Sequence, residues 1–206
     1  MKNPFRPGVL LGTFLWAFPS FASYYGVIQG GTEIQSNSPY QAAFTNNSLT
    51  EPKDYFNSIG IRLGNESATG VLRMALTAQQ VFGQQTTSGN NFGEISWNRW
   101  GGIMQINVSP TTFLTITFGG EAGYSFSRLM VLSSRSNGML TSRAAYIGPV
   151  LGLEALLRWD LRLFAEASYP LPFGRRSVAQ GDALGAGSPL RPHLALSGGL
   201  SFYFSR

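Results

Sequence analysis

Residues 70–82 read GVLRMALTAQQVF. Leu72, Met74, Leu76 and Ala78 fall on one side of an extended chain, and Arg73, Ala75, Thr77 and Gln79 fall on the other. A helix would gather its apolar residues every three or four positions, whereas this stretch alternates strictly, which is the period of a β-strand with two different faces. The apolar side is unbroken, and the arginine lies opposite it.

The same period recurs in eight segments, at about 24–34, 54–64, 70–82, 95–108, 112–127, 141–157, 161–171 and 192–204. Apolar faces include Ile59, Ile61 and Leu63, then Ile116 and Phe118, then Leu151 and Leu153, then Leu200, Phe202 and Phe204. The connections alternate in length. Those at 65–70, 109–111 and 158–160 are short; those at 35–53, 83–94, 128–140 and 172–191 are long and polar. Strict alternation puts all turns at one end and all long loops at the other, as in a membrane barrel with an even strand count. Segments of this length also match the ~9–11 residues a tilted strand needs to cross a bilayer.

Charge placement separates this reading from a soluble lipocalin-like barrel, whose outer face would be polar. Charged residues make up only 12% of the chain, about half the usual ~25%, and in the segments they sit opposite the apolar face. Glu33, Arg62, Arg73, Arg99, Glu121, Glu154, Arg162 and Glu166 share that side by parity. Arginines and glutamates in equal number are costly against lipid but tolerable when paired inside a barrel. The expected fold is therefore all-β: an eight-stranded antiparallel up-and-down transmembrane β-barrel with an ionic network in its lumen. Strand direction divides the network into two layers, with Arg62, Arg73, Glu154, Arg162 and Glu166 near the short turns and Glu33, Arg99 and Glu121 near the long loops. Gln29, Gln79, Gln105, Asn107 and Tyr203 are expected to point inward with them.

The beginning of the chain reads as an export signal. Lys2 and Arg6 precede an apolar run over 8–18, and Ser20-Phe21-Ala22 supplies small residues at a cleavage site. Eleven apolar residues are too few for a membrane-spanning helix. The expected division is 1–22 signal peptide and 23–206 barrel. Part of the net charge of +5 then belongs to the leader and is no argument for a nucleic-acid partner.

Near the other end, Ser197, Gly199, Phe202 and Phe204 form a polar residue, a glycine two later, and two aromatics one apart. This pattern resembles the terminal assembly signal of bacterial outer-membrane proteins, although Ser205 and Arg206 follow where that signal ends on the aromatic. The chain from Ser23 onward resembles the small eight-stranded outer-membrane barrels of the OmpA and OmpX kind. The resemblance implies a diderm, Gram-negative bacterium, insertion by the barrel-assembly machinery, long loops at the cell surface and both termini in the periplasm. Outer-membrane lipids and lipopolysaccharide are then its surroundings.

Chemistry finds little purchase. The chain has no cysteine and a single histidine, which removes thiolate metal sites and most zinc sites. Ser197 lies four residues after His193, ~13 Å along a strand, against the ~3 Å a nucleophile–base pair needs. The expectation is no enzyme, no catalytic residue, no metal and no cofactor. Basic residues outnumber acidic ones in the long loops, and Arg143, Arg175, Arg176 and Arg191 are candidates to contact lipopolysaccharide phosphates, since guanidinium matches phosphate geometry. The apolar run Leu129-Met130-Val131-Leu132 either extends a strand or meets a protein partner. The expected role is structural or surface-interacting, adhesin-like or complex-forming, through the loops or the lipid-facing wall. Two alternatives stand beside it: a barrel enzyme modifying lipid A or another envelope lipid, and a narrow channel for ions or small solutes.

Overall fold

A computed structural model describes residues 21–35, 40–158, 160–182 and 190–205. The expected leader lies outside these residues except for 21–22, where the first strand begins. The elements are β1 (Phe21–Ile34), α1 (Gln41–Asn46), β2 (Tyr55–Ser67), β3 (Leu72–Ser88), β4 (Asn91–Val108), β5 (Leu114–Leu132), β6 (Asn137–Arg158), β7 (Leu161–Ser168), β8 (Leu171–Gly181) and β9 (Leu194–Ser205). Each consecutive pair from β1 to β7 is antiparallel, β7 pairs β9, and β9 returns to β1. The ring therefore closes through eight strands.

β8 is the upper continuation of β7. β7 pairs the half of β6 from Val150 to Arg158, and β8 pairs the half from Gly138 to Ile147. Between them Pro170 has no N–H to give the ladder, and the pairing lapses for two residues. The single segment expected at 161–171 is thus two strands in line, reaching ten residues further than the alternation of apolar residues suggests.

Three of the four expected long loops are largely strand. β3 and β4 run on to a two-residue turn, with Ser88 opposite Asn91 and Gly89 at a φ of 58° that favours glycine. β5 reaches Leu132 opposite Asn137 of β6, and β8 occupies much of 172–191. The reason is the solvent. Where water replaces lipid, the outer face needs no apolar residue, so Gln84-Gln85-Thr86-Thr87 keeps strand geometry without the apolar signal. β3, β4, β5, β6 and β8 consequently rise together as a sheet beyond the barrel mouth.

On the wall below, burial alternates residue by residue. Ile28, Leu63, Met104 and Leu151 are each more than half exposed, an arrangement opposite to a water-soluble protein. Inward of the rising sheet lies a separate apolar core. Leu129 and Val131 are fully buried there with Val81, Ile95, Trp97 and Phe56. This settles one expectation: the 129–132 run extends β5, with Leu129 and Val131 pointing in. α1 closes the core from above with Tyr40, Ala43 and Phe44. Phe44 sits so close to the sheet that a Cβ on Gly93 would lie 2.6 Å from its ring. A polar seam fixes the helix: Ser133 Oγ bonds Asn47 Oδ1 at 2.6 Å, and Asn91 donates to the Asn47 carbonyl at 3.0 Å.

Replacing Phe44 with Ala should cost about 3–5 kcal/mol of this cap. Hydrogen exchange in residues 40–50 should accelerate and trypsin should cut after Lys53, while the strands below stay protected. Unchanged protection of α1 would show that its packing contributes nothing.

Candidate functional site

The inward faces of the strands bring charged side chains together at two levels. At the level of the short turns, Arg62 of β2 forms a two-pronged pair with Glu166 of β7, Nη1 to Oε2 at 2.8 Å and Nη2 to Oε1. Arg73 of β3 lies between Glu66 of β2 (Nη2 to Oε2, 2.8 Å) and Glu154 of β6 (Nη2 to Oε2, 3.1 Å). Arg162 of β7 reaches the same Glu154 at 3.3 Å. Gln105 donates to Glu166 at 2.9 Å and Asn107 to Glu66 at 3.3 Å. The Arg73 guanidinium also packs over the Tyr25 ring and receives the Tyr203 hydroxyl as a hydrogen-bond acceptor. Three arginines therefore meet three glutamates. Desolvation of each charge is offset only because every one has a partner of opposite sign.

Glu66 is the member of this layer that sequence reasoning missed. It continues the inward parity of Arg62, but residues 65–70 read as a turn. β2 instead runs to Ser67, where a shift in the β1 pairing turns consecutive residues inward, and Asn65 and Glu66 are both buried.

At the level of the long connections, Arg99 of β4 meets Glu33 of β1 at 3.0 Å and Glu121 of β5 at 3.7 Å, and donates to Gln79 at 2.6 Å. Glu33 is fully buried and also accepts from the Trp97 indole at 2.6 Å. His193, at the end of the coil before β9, is buried, with Nε2 3.0 Å from Glu33 Oε2 and Nδ1 2.8 Å from the Arg191 carbonyl. It tethers the chain entering β9 to the lumen. Both ring nitrogens face oxygen acceptors within the protein, which leaves neither oriented toward a serine.

Between the side chains of the lower layer the remaining void is about 10 Å³, lined by Tyr25, Arg62, Arg73, Gln105, Glu154 and Glu166. That is room for about one water. Gln29, Gln79, Gln105 and Asn107 are buried with the charges, as side chains filling so narrow a barrel should be. Among the described residues no group of three or more His, Asp or Glu side chains is placed to hold a metal ion.

The four loop arginines come from β6, β8 and the coil before β9. Arg143 of β6 and Arg176 of β8 are direct cross-strand partners on the outer face. Arg175 sits beside Gly174 at an irregularity in that pairing and is exposed. Arg191 lies on the coil before β9, where its carbonyl meets His193 Nδ1. Ser197 and Gly199 face inward, and Phe202 and Phe204 lie outward opposite Gly26 and Tyr24.

No family model matches the chain, and the search of curated proteins returns no match. Among solved structures, it is similar to Ail, the attachment invasion locus protein of Yersinia pestis. The TM-score is 0.55 at 7% identity, covering 90% of this chain and 99% of that one. Ail in complex with the heparin analogue sucrose octasulfate gives 0.57 at 8% identity, with the same coverage. A major outer membrane protein from Thermus thermophilus gives 0.58 at 11% identity, covering 89% of this chain and 100% of that one. At such low identity the likeness lies in the fold, which is that of the small eight-stranded outer-membrane barrels.

Glu154→Ala would leave Arg73 and Arg162 short of a partner and should cost about 3–5 kcal/mol. Arg158→Gln removes only an exposed pair with Asp160, worth ~1 kcal/mol or less. Urea unfolding in detergent micelles compares them, and equal midpoints would contradict the lower layer's role in stability.

Proposed function

We propose that this chain is an integral outer-membrane barrel of a diderm bacterium that works without catalysis, as a structural or surface-interacting protein. The observation that carries the reading is the contrast between its two faces. The interior is filled with paired charges and amides, while the exterior is an apolar wall of the kind that only lipid or another membrane protein covers. A filled interior offers solutes no path. His193 is held by Glu33 and a backbone carbonyl, and among the described residues no serine is paired with it. The surfaces left to act are the outer wall and the sheet that β3, β4, β5, β6 and β8 raise beyond it.

On this reading residues 1–22 are the export leader and 23–206 the mature barrel. The barrel-assembly machinery takes hold of Ser197, Gly199, Phe202 and Phe204. The capped sheet stands outside the cell with both termini in the periplasm, and lipopolysaccharide surrounds it. An adhesin-like or complex-forming role fits the rigid, capped sheet, since a preordered surface loses little entropy on binding.

The protein extracted in mild detergent should fractionate with the outer membrane and give no conductance steps in planar bilayers. Deleting its gene should leave the mass of lipid A unchanged. Discrete ion current would establish the channel alternative, and an altered lipid A mass would establish the enzyme.

A further inference from the structure

On the outer wall, cross-strand register lines side chains into rows. One row runs Trp100, Tyr124, Ala145 and Phe173 across β4, β5, β6 and β8. The next row toward the long connections runs Asn98, Phe126, Arg143 and Arg176. The row beyond runs Ser96, Arg128, Thr141 and Val178. The wall thus passes from aromatic to cationic within two residues. Trp100 stacks on Phe126 at 6.1 Å and leans on Tyr124 at 5.5 Å, and the Arg143 guanidinium lies 5.8 Å from the Phe126 centroid.

Arg143 and Arg176 are direct antiparallel partners. Like charges so placed repel. None of Arg128, Arg143 and Arg176 has an ion-pair partner among the described residues. Every arginine inside the lumen is matched by a carboxylate, yet these three are held together on rigid strands with none. Arg175 adds a fourth exposed charge beside them.

We propose that Arg128, Arg143 and Arg176 form a site for the phosphate of a membrane-embedded lipid whose acyl chains lie on the aromatic wall below. The proposal rests on the reading that this wall faces lipid. Aromatic rings settle at the membrane–water interface, so the row above them lies at headgroup depth. A guanidinium fork binds phosphate oxygens two at a time, and an anion there removes the repulsion between Arg143 and Arg176. The apolar wall and the arginines select together for a lipid that is both anionic and acylated, which describes phosphorylated lipid A in an outer leaflet.

The test is native mass spectrometry of the full chain in detergent with bisphosphorylated lipid A, the same lipid without phosphates, and inorganic phosphate. Wild type should hold bisphosphorylated lipid A and lose it as salt is raised. Each arginine should contribute about fivefold, so R128Q/R143Q/R176Q should weaken binding by about a hundredfold. Arg158→Gln, at the opposite end of the barrel, should bind as wild type does. Gel mobility before and after heating checks that each variant is folded. Equal affinity for the dephosphorylated lipid, or full retention by the folded triple variant, would overturn the site. Complete competition by inorganic phosphate or by a sulfated sugar would overturn the lipid as its occupant. Phosphate-dependent lipid binding by a protein recovered outside the outer membrane would refute the reading of the wall and leave the site standing.

Discussion

The antiparallel pairing of β1 with β9, twelve residue pairs from Ser23–Ser205 to Ile34–Leu194, is the contact on which the rest depends. In hydrocarbon an unpaired N–H or carbonyl has no water to turn to, and each costs several kcal/mol. A sheet with two free edges could not remain in that medium. Closure removes both edges and also fixes the interior. A ring of eight strands is narrow enough for side chains to fill, and the charged residues of its inward faces are then solvated by each other and by the amides and aromatic donors among them. The ionic layers follow from the closed ring, and the apolar wall is their complement.

How much of this was legible in the sequence depends on where lipid lies. Between Leu72 and Phe82, or Leu194 and Phe204, each outward residue answers to hydrocarbon and each inward residue to a crowded lumen, so parity alone places Arg73, Glu154 and Arg99. Beyond the lipid that contrast ends. Gln84 to Ser88 and Gly174 to Gly181 are strands that water permits to be polar on their outer face, and their pattern does not distinguish them from loops. Glu66 keeps the inward parity of Arg62 but was hidden because 65–70 reads as a turn, whereas β2 runs on to Ser67. The surroundings of His193 and Arg128 are set by tertiary contacts that the local pattern does not carry. The partner of His193 is Glu33, far away in sequence, and Arg128 joins Arg143 only because β5 continues past the expected loop boundary.

Among the described residues two groups of charges differ in kind. Those in the lumen are paired and enclosed, and they fill the interior and hold the strands in place. Those on the outer rim of β5, β6 and β8 are unpaired and turned outward. The same residue type, arginine, serves both, and the difference lies in whether a neighbouring strand offers a carboxylate. Inside, every arginine has a carboxylate partner; on the outer flank Arg128, Arg143 and Arg176 have none among the described residues.

The cap formed by α1 over Phe56, Ile95, Leu129 and Val131 carries a thermal consequence. Its cohesion comes from water, so its unfolding brings a positive heat capacity change and its stability weakens on cooling. The belt below faces lipid and is held by backbone bonds and packing that do not draw on that effect. One chain therefore contains two bodies with different temperature curves, and near freezing the cap is the part that loosens first.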